Sequence, residues 1–133
     1  MGRRTHNRRA VVVLTDGLDN ASVYDAAAIG PIASAIDVPV YVFDLRAGVA
    51  DGAATPRNPL SELAHRTGGR YFAAGTSELI TTGIRSLLDE LRHQYIIAFE
   101  AAPSGGWRTV EVRTRKRGLR VRARSGYMAR LGE

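Results

Sequence analysis

Two short stretches of this chain are apolar at consecutive positions. Residues 10–14 read Ala-Val-Val-Val-Leu and residues 40–45 read Val-Tyr-Val-Phe-Asp-Leu, apolar except at Asp44. A strand carries such residues in succession only when both of its faces are covered, as in a parallel sheet. Elsewhere the period changes. Ala28, Ile29, Ile32, Ala33 and Ile36 fit one face of a helix over 25–36, with a break at Gly30-Pro31. Residues 59–67 predict a short helix that turns Leu60, Leu63 and Ala64 inward and stops at Gly68-Gly69. Residues 70–73 predict a third strand. Residues 77–93 predict the longest helix, with Leu79, Ile80, Ile84, Leu87, Leu88 and Leu91 at helical spacing. Residues 46–58, rich in Gly, Ala, Pro and Asp, read as a loop.

Strand, helix, strand, helix, strand, helix is the order of an α/β fold, an open parallel sheet with flanking helices. After residue 93 the pattern switches. Residues 94–100, 107–114 and 119–124 read as strands separated by turns at 103–106 and 116–118. In the last of these, Leu119, Val121 and Ala123 alternate with Arg120, Arg122 and Arg124. The expected organisation is a basic tail over 1–9, an α/β unit over 10–93 and a C-terminal antiparallel meander over 94–129 packed on it.

Composition changes this picture only in places. With 133 residues the chain suits one domain. It has no cysteine, which excludes disulfides and thiolate metal sites. The apolar run at 11–14 is too short for a signal-peptide core or a membrane span. The net charge of +6 is concentrated near the two ends, at Arg3, Arg4, Arg8 and Arg9 and at Arg113, Arg115, Lys116, Arg117, Arg120, Arg122 and Arg124. The second cluster reads either as a solvated basic face or as a surface for polyanions, nucleic acid included. The first reading is favoured, because charge pattern alone is nonspecific.

The candidate chemistry lies where the first strand stops. Thr15, Asp16, Gly17, Asp19, Asn20 and Ser22 place oxygen donors at the carboxyl end of a parallel strand, where open α/β sheets gather function. Such donors suit a hard cation such as Mg²⁺, with Asp16 nearest the strand end and Asp19 as a second candidate. Equally, Asn20 or Ser22 can cap the following helix. Asp44 either faces the same crevice or bonds local backbone amides, and the second is favoured. Nothing points to catalysis. His6, His65 and His93 are scattered, and there is neither a G-x-S-x-G elbow nor a phosphate-binding glycine loop.

Residues 11–20, VVVLTDGLDN, resemble the fourth strand and following loop of von Willebrand factor type A domains, which commonly end that strand in T-D-G. Residues 39–45 are similar to the next strand, and LSELAHRTGGRYF, residues 60–72, is similar to a more specific L-x-x-L-A-x-x-T-G-G-x-x-F segment. LRHQYIIAFE, with WRTVEVRTRKRGLRVRARSGYMA after a turn, resembles a bacterial VWFA-related subfamily of the Acidobacteria type. The resemblance covers residues 9–129. It implies a Rossmann-like sheet, a protein-binding and not an enzymatic role, and export to the periplasm or beyond, although this chain shows no signal peptide. It also implies a metal-ion-dependent adhesion site in which Asp16 is the third-loop residue. The D-x-S-x-S motif of that site is absent from the sequence, so the resemblance implies weak or no Mg²⁺ binding. In the complete fold the strand at 10–14 lies mid-sheet. Here one of its edges is expected to be open and to invite homodimerisation. The alternative reading is a polyanion-binding α/β protein that uses the C-terminal arginines.

Overall fold

The structure is a computed structural model that describes residues 9–16, 31–33, 35–36, 38–46, 59–100 and 105–129. It is mixed α/β. Strands β1 (Val11–Thr15), β2 (Val40–Asp44) and β3 (Arg70–Ala73) form a parallel sheet in the order β1-β2-β3. Helices α1 (Pro59–Thr67) and α2 (Ser77–Arg92) flank it. A separate antiparallel pair follows, β4 (Gly106–Thr109) with β5 (Gly126–Ala129). Residues 31–33 and 35 are helical and Ile36 is not, while residues 25–30 and 34 of the helix expected over 25–36, residues 47–58 of the expected loop and residues 1–8 of the basic tail lie outside the described residues.

The unbroken apolar character of β2 is explained by its position. It is the central strand, and successive side chains point to opposite faces. Tyr41 and Phe43 join Phe72, Ala74 and Leu87, backed by Ile80 and Leu91 of α2. Val40 and Val42 join Ala64, backed by Leu60 and Leu63 of α1 and by Val13, Ile36 and Tyr71. The result is a three-layer sandwich in which β2 is buried on both sides.

Each helix is bounded by chemistry visible in the sequence. Pro59 opens α1, where its missing N–H costs nothing. Gly68, at φ +83°, closes it. The Gly69 amide donates to the Ala64 carbonyl at 2.9 Å and the Gly68 amide to the His65 carbonyl at 3.1 Å, the Schellman pattern. Thr76 caps α2, its hydroxyl accepting from the Leu79 amide at 3.3 Å.

Thr67 joins α1 to the sheet. Its buried hydroxyl accepts from the Val40 amide at 3.0 Å and reaches the Leu63 carbonyl at 2.9 Å. Thr67→Val strands a buried backbone donor, so a loss of about 1–3 kcal/mol is expected. Thr67→Ser keeps the bond and removes one methyl, for about 1 kcal/mol. Urea-denaturation midpoints of the two variants should separate in that order.

The long helix turns only part of its apolar set inward. Ile80, Gly83, Leu87 and Leu91 meet the sheet, whereas Leu79, Ile84 and Leu88 are exposed. A single sheet face covers one stripe of a helix, so the remaining apolar residues at helical spacing stay outside it. The meander is also shorter than expected. Residues 94–100 and 119–124 form no strand, and of 107–114 only the first few residues pair. Pairing is confined to Gly106↔Ala129 through Thr109↔Gly126, with one further rung from the Val110 amide to the Ser125 carbonyl at 3.0 Å. Alternation predicts which face a side chain takes, but not whether a partner strand is there.

Candidate functional site

The carboxyl edge of the parallel sheet is built by register. Thr15 lies beside Asp44, and Asp44 beside Ala73. The ladder continues one step further, with the Leu45 amide donating to the Thr15 carbonyl at 2.8 Å and the Ala74 amide to the Asp44 carbonyl at 2.8 Å. Asp16 therefore stands just past the end of β1, exposed on this edge. Asp44 is engaged in holding its own turn. Its Oδ1 accepts from the Arg46 amide at 2.9 Å, and the Tyr71 hydroxyl donates to its Oδ2. This agrees with the expectation that Asp44 bonds local backbone.

Asp19, like Gly17, Asn20 and Ser22, lies outside the described residues. Among those described, no three His, Asp or Glu side chains converge on a point where a cation would sit. Mg²⁺ requires near-octahedral oxygen ligation. The described residues supply an exposed Asp16 and an Asp44 that is bonded to Tyr71 and to the Arg46 amide, and the other donors of this loop lie outside them.

The C-terminal cations do not act as one patch. Arg122 Nη2 donates to Glu90 Oε1 at 2.8 Å. Arg124 turns back on the backbone, donating to the Gly126 carbonyl at 2.8 Å and the Ala33 carbonyl at 3.5 Å. Arg113 grips Glu111 through two bonds of 2.7 and 3.0 Å. Arg115, Lys116, Arg117 and Arg120 are exposed around the Gly118 turn, and no described carboxylate lies within ion-pair reach of them.

Glu90 is the residue the sequence reading missed. It accepts from Arg122, from Arg70 at 3.5 Å and from the buried Tyr41 hydroxyl at 3.3 Å. Burial, reinforced by the Glu90 carboxylate, pushes the Tyr41 phenol up to about 12. Arg70 also lies over the Phe72 ring, 4.7 Å from its centre. This node ties the C-terminal arm to α2 and the sheet. One signal for it was available: a tyrosine in a strand buried on both faces must find a partner for its hydroxyl.

Beyond the β4–β5 rungs the two arms diverge around a cleft lined by Val110, Glu111, Val112, Val121, Ala123 and His65. Ser125 shares this cleft, but its Oγ is buried without a hydrogen-bond partner. It and His65 therefore do not make a nucleophile–base pair.

No helix among the described residues is long and apolar enough to cross a membrane. No family model and no curated protein matches the chain. Among solved structures, the chain is similar to the crystal structure of an uncharacterized membrane spanning protein from Vibrio fischeri. The TM-score is 0.45 and the identity 25%, over 63% of this chain and 47% of that one. The match thus spans about half of that protein's length.

Proposed function

We propose that this chain is a non-catalytic, protein-binding module of the von Willebrand factor type A kind, with an incomplete metal-ion-dependent adhesion site at Asp16. It recruits its partner through the edge of β1. The observation that carries this reading is the exposure of that strand. Among the described residues β1 pairs only with β2, and Val12 is 50% and Leu14 66% exposed. Among the described residues no strand lies on the outer side of β1, and an apolar edge of this kind is a template for another strand. Residues 10–15 carry no charge, so nothing repels a second copy of the same edge. The occupant is accordingly a second copy, paired about a two-fold axis.

Analytical ultracentrifugation across micromolar concentrations tests this. The expected result is a concentration-dependent dimer. Val12→Lys, which places a charge on an exposed edge position, should return the monomer, which still unfolds cooperatively but with a midpoint that no longer depends on protein concentration. Asp16→Ala should leave the dimer intact, because no step depends on a metal. A wild-type chain that stays monomeric throughout would overturn the edge as the binding surface.

A further inference from the structure

The C-terminal hairpin carries a second kind of chemistry. Residues 105–129 hold eight of the chain's 19 Lys and Arg but only one of its 13 Asp and Glu. This stretch is therefore +7 in a protein of net +6, and the remainder is −1. The charge belongs to an arm, not to the molecule as a whole.

The register of β4 and β5 states what the arm would become if it closed. Gly106↔Ala129 through Thr109↔Gly126, with the Val110–Ser125 rung, extrapolates to Glu111 opposite Arg124, Val112 opposite Ala123, Arg113 opposite Arg122 and Arg115 opposite Arg120. The two residues left at the tip are Arg117 and Gly118. One face of the closed hairpin would be Val110, Val112, Val121 and Ala123, and the other would be almost entirely arginine.

Three features hold it open. Like charges directly opposed across a pair of strands destabilise it. Arg113 and Arg122 each already have a carboxylate, in Glu111 and Glu90, but among the described residues Arg115 and Arg120 have none within reach. The one complementary rung, Glu111 with Arg124, is not made, because Glu111 holds Arg113 and Arg124 is turned to the Gly126 and Ala33 carbonyls. The tip also has the wrong turn. Gly118 has φ +83° while Arg117 is not positive, and a two-residue hairpin loop of that kind splays its strands.

We propose that this arm is an anion clamp. Arg115, Lys116, Arg117 and Arg120 bind a linear chain of phosphates, and neutralisation of the tip lets residues 110–114 and 119–124 extend the β4–β5 ladder. The ligand is inorganic polyphosphate, not a nucleic acid. Between Trp107 and Tyr127 there is no aromatic residue on which a base can stack. Trp107 itself is packed over Gly126. This site is independent of the β1 edge.

The test combines titration of the intact protein with medium-chain polyphosphate and hydrogen exchange of individual amides. Four phosphate contacts at about −0.7 in log–log salt slope per contact predict affinity falling roughly fiftyfold between about 50 and 200 mM salt. Saturation should slow exchange of amides 111–114 and 119–124 by about tenfold or more, while amides of α2 stay unchanged. Arg120→Glu places a carboxylate opposite Arg115. Those same amides should then be protected without any anion, and polyphosphate binding should weaken by about tenfold or more. Three results would overturn the proposal: binding without new protection, Arg120→Glu exchanging like the wild type in the absence of anion, or tighter binding of a single-stranded oligonucleotide of matched charge.

Discussion

Gly69→Ala is expected to abolish cooperative folding. Gly69 sits between α1 and β3 with an ordinary backbone conformation, so alanine meets no conformational objection there. The objection is space. A Cβ at this position collides with the carbonyl oxygen of Val40 and lies 2.6 Å from its carbonyl carbon and 2.9 Å from its nitrogen. These are backbone atoms of the first residue of the central strand, held by Thr67 and by the parallel ladder, and no side-chain rotation can relieve the clash. Either β2 moves away from α1 or the Schellman turn opens. A loss on the order of 4 kcal/mol or more follows, against a total of about 5–15 kcal/mol for a domain. Gly118→Ala is the matched control with the opposite balance. It has a positive φ but open space around its would-be Cβ, so only the backbone penalty of about 1–2 kcal/mol applies. Thermal unfolding followed by far-ultraviolet circular dichroism should show a cooperative transition for Gly118→Ala and none for Gly69→Ala. If Gly69→Ala kept a wild-type transition, the close packing of α1 on Val40 would be wrong.

The contrast between those glycines is also a contrast in what a sequence discloses. Gly68-Gly69 after a helical stripe announced a helix end, because a left-handed residue at that point is a local demand. That Gly69 must also admit the backbone of Val40, almost thirty residues earlier, is a long-range demand that no local pattern encodes. The same division runs through the rest of the chain. Double-sided burial marked β2 as central from its composition, and α1, β3 and α2 were bounded by Pro59, the paired glycines and Thr76. Residues 94–100 and 119–124 carry strand-like composition as clear as that of β3, yet they are unpaired. Pairing depends on which charges face one another across the gap and on the turn that joins them.

The candidate site was legible in kind but not in arrangement. The place of Asp16 at a strand end could be read directly, and it lies just past β1. Whether it has co-ligands depends on distant segments. The engagement of Asp44 with Tyr71, 27 residues away, was not in any motif. The arginines after residue 112 were visible as a count. Their division into those held internally and those with no described carboxylate at the hairpin tip required Glu90, which is 32 residues from Arg122 and looked like an ordinary polar position on a helix.

The second large effect is expected from Phe43→Ala. Phe43 is 1% exposed, and its ring stacks on Phe72 with centres 4.6 Å apart and planes inclined by 19°. Truncating a buried phenylalanine costs about 3–5 kcal/mol, the lost transfer energy adding to that of the cavity left behind. The upper part of that range applies here, because the neighbour across the interface cannot fill the gap. The ring lies against Gly83 of α2, which has no side chain to move into the space. The same contact makes the prediction specific. A Cβ at Gly83 would come within 2.6 Å of Phe43 Cε1 and 3.2 Å of Phe72 Cδ1, so Gly83→Ala alone overpacks the interface and costs about 1–3 kcal/mol. In Phe43→Ala the obstruction is gone and the added methyl enters the cavity. The double variant should then be more stable than the sum of the two single losses implies, by about 1–3 kcal/mol of coupling. Urea unfolding of the four proteins measures that coupling. Simple additivity would mean that α2 does not rest on Phe43 through Gly83, and that this layer of the sandwich is packed differently.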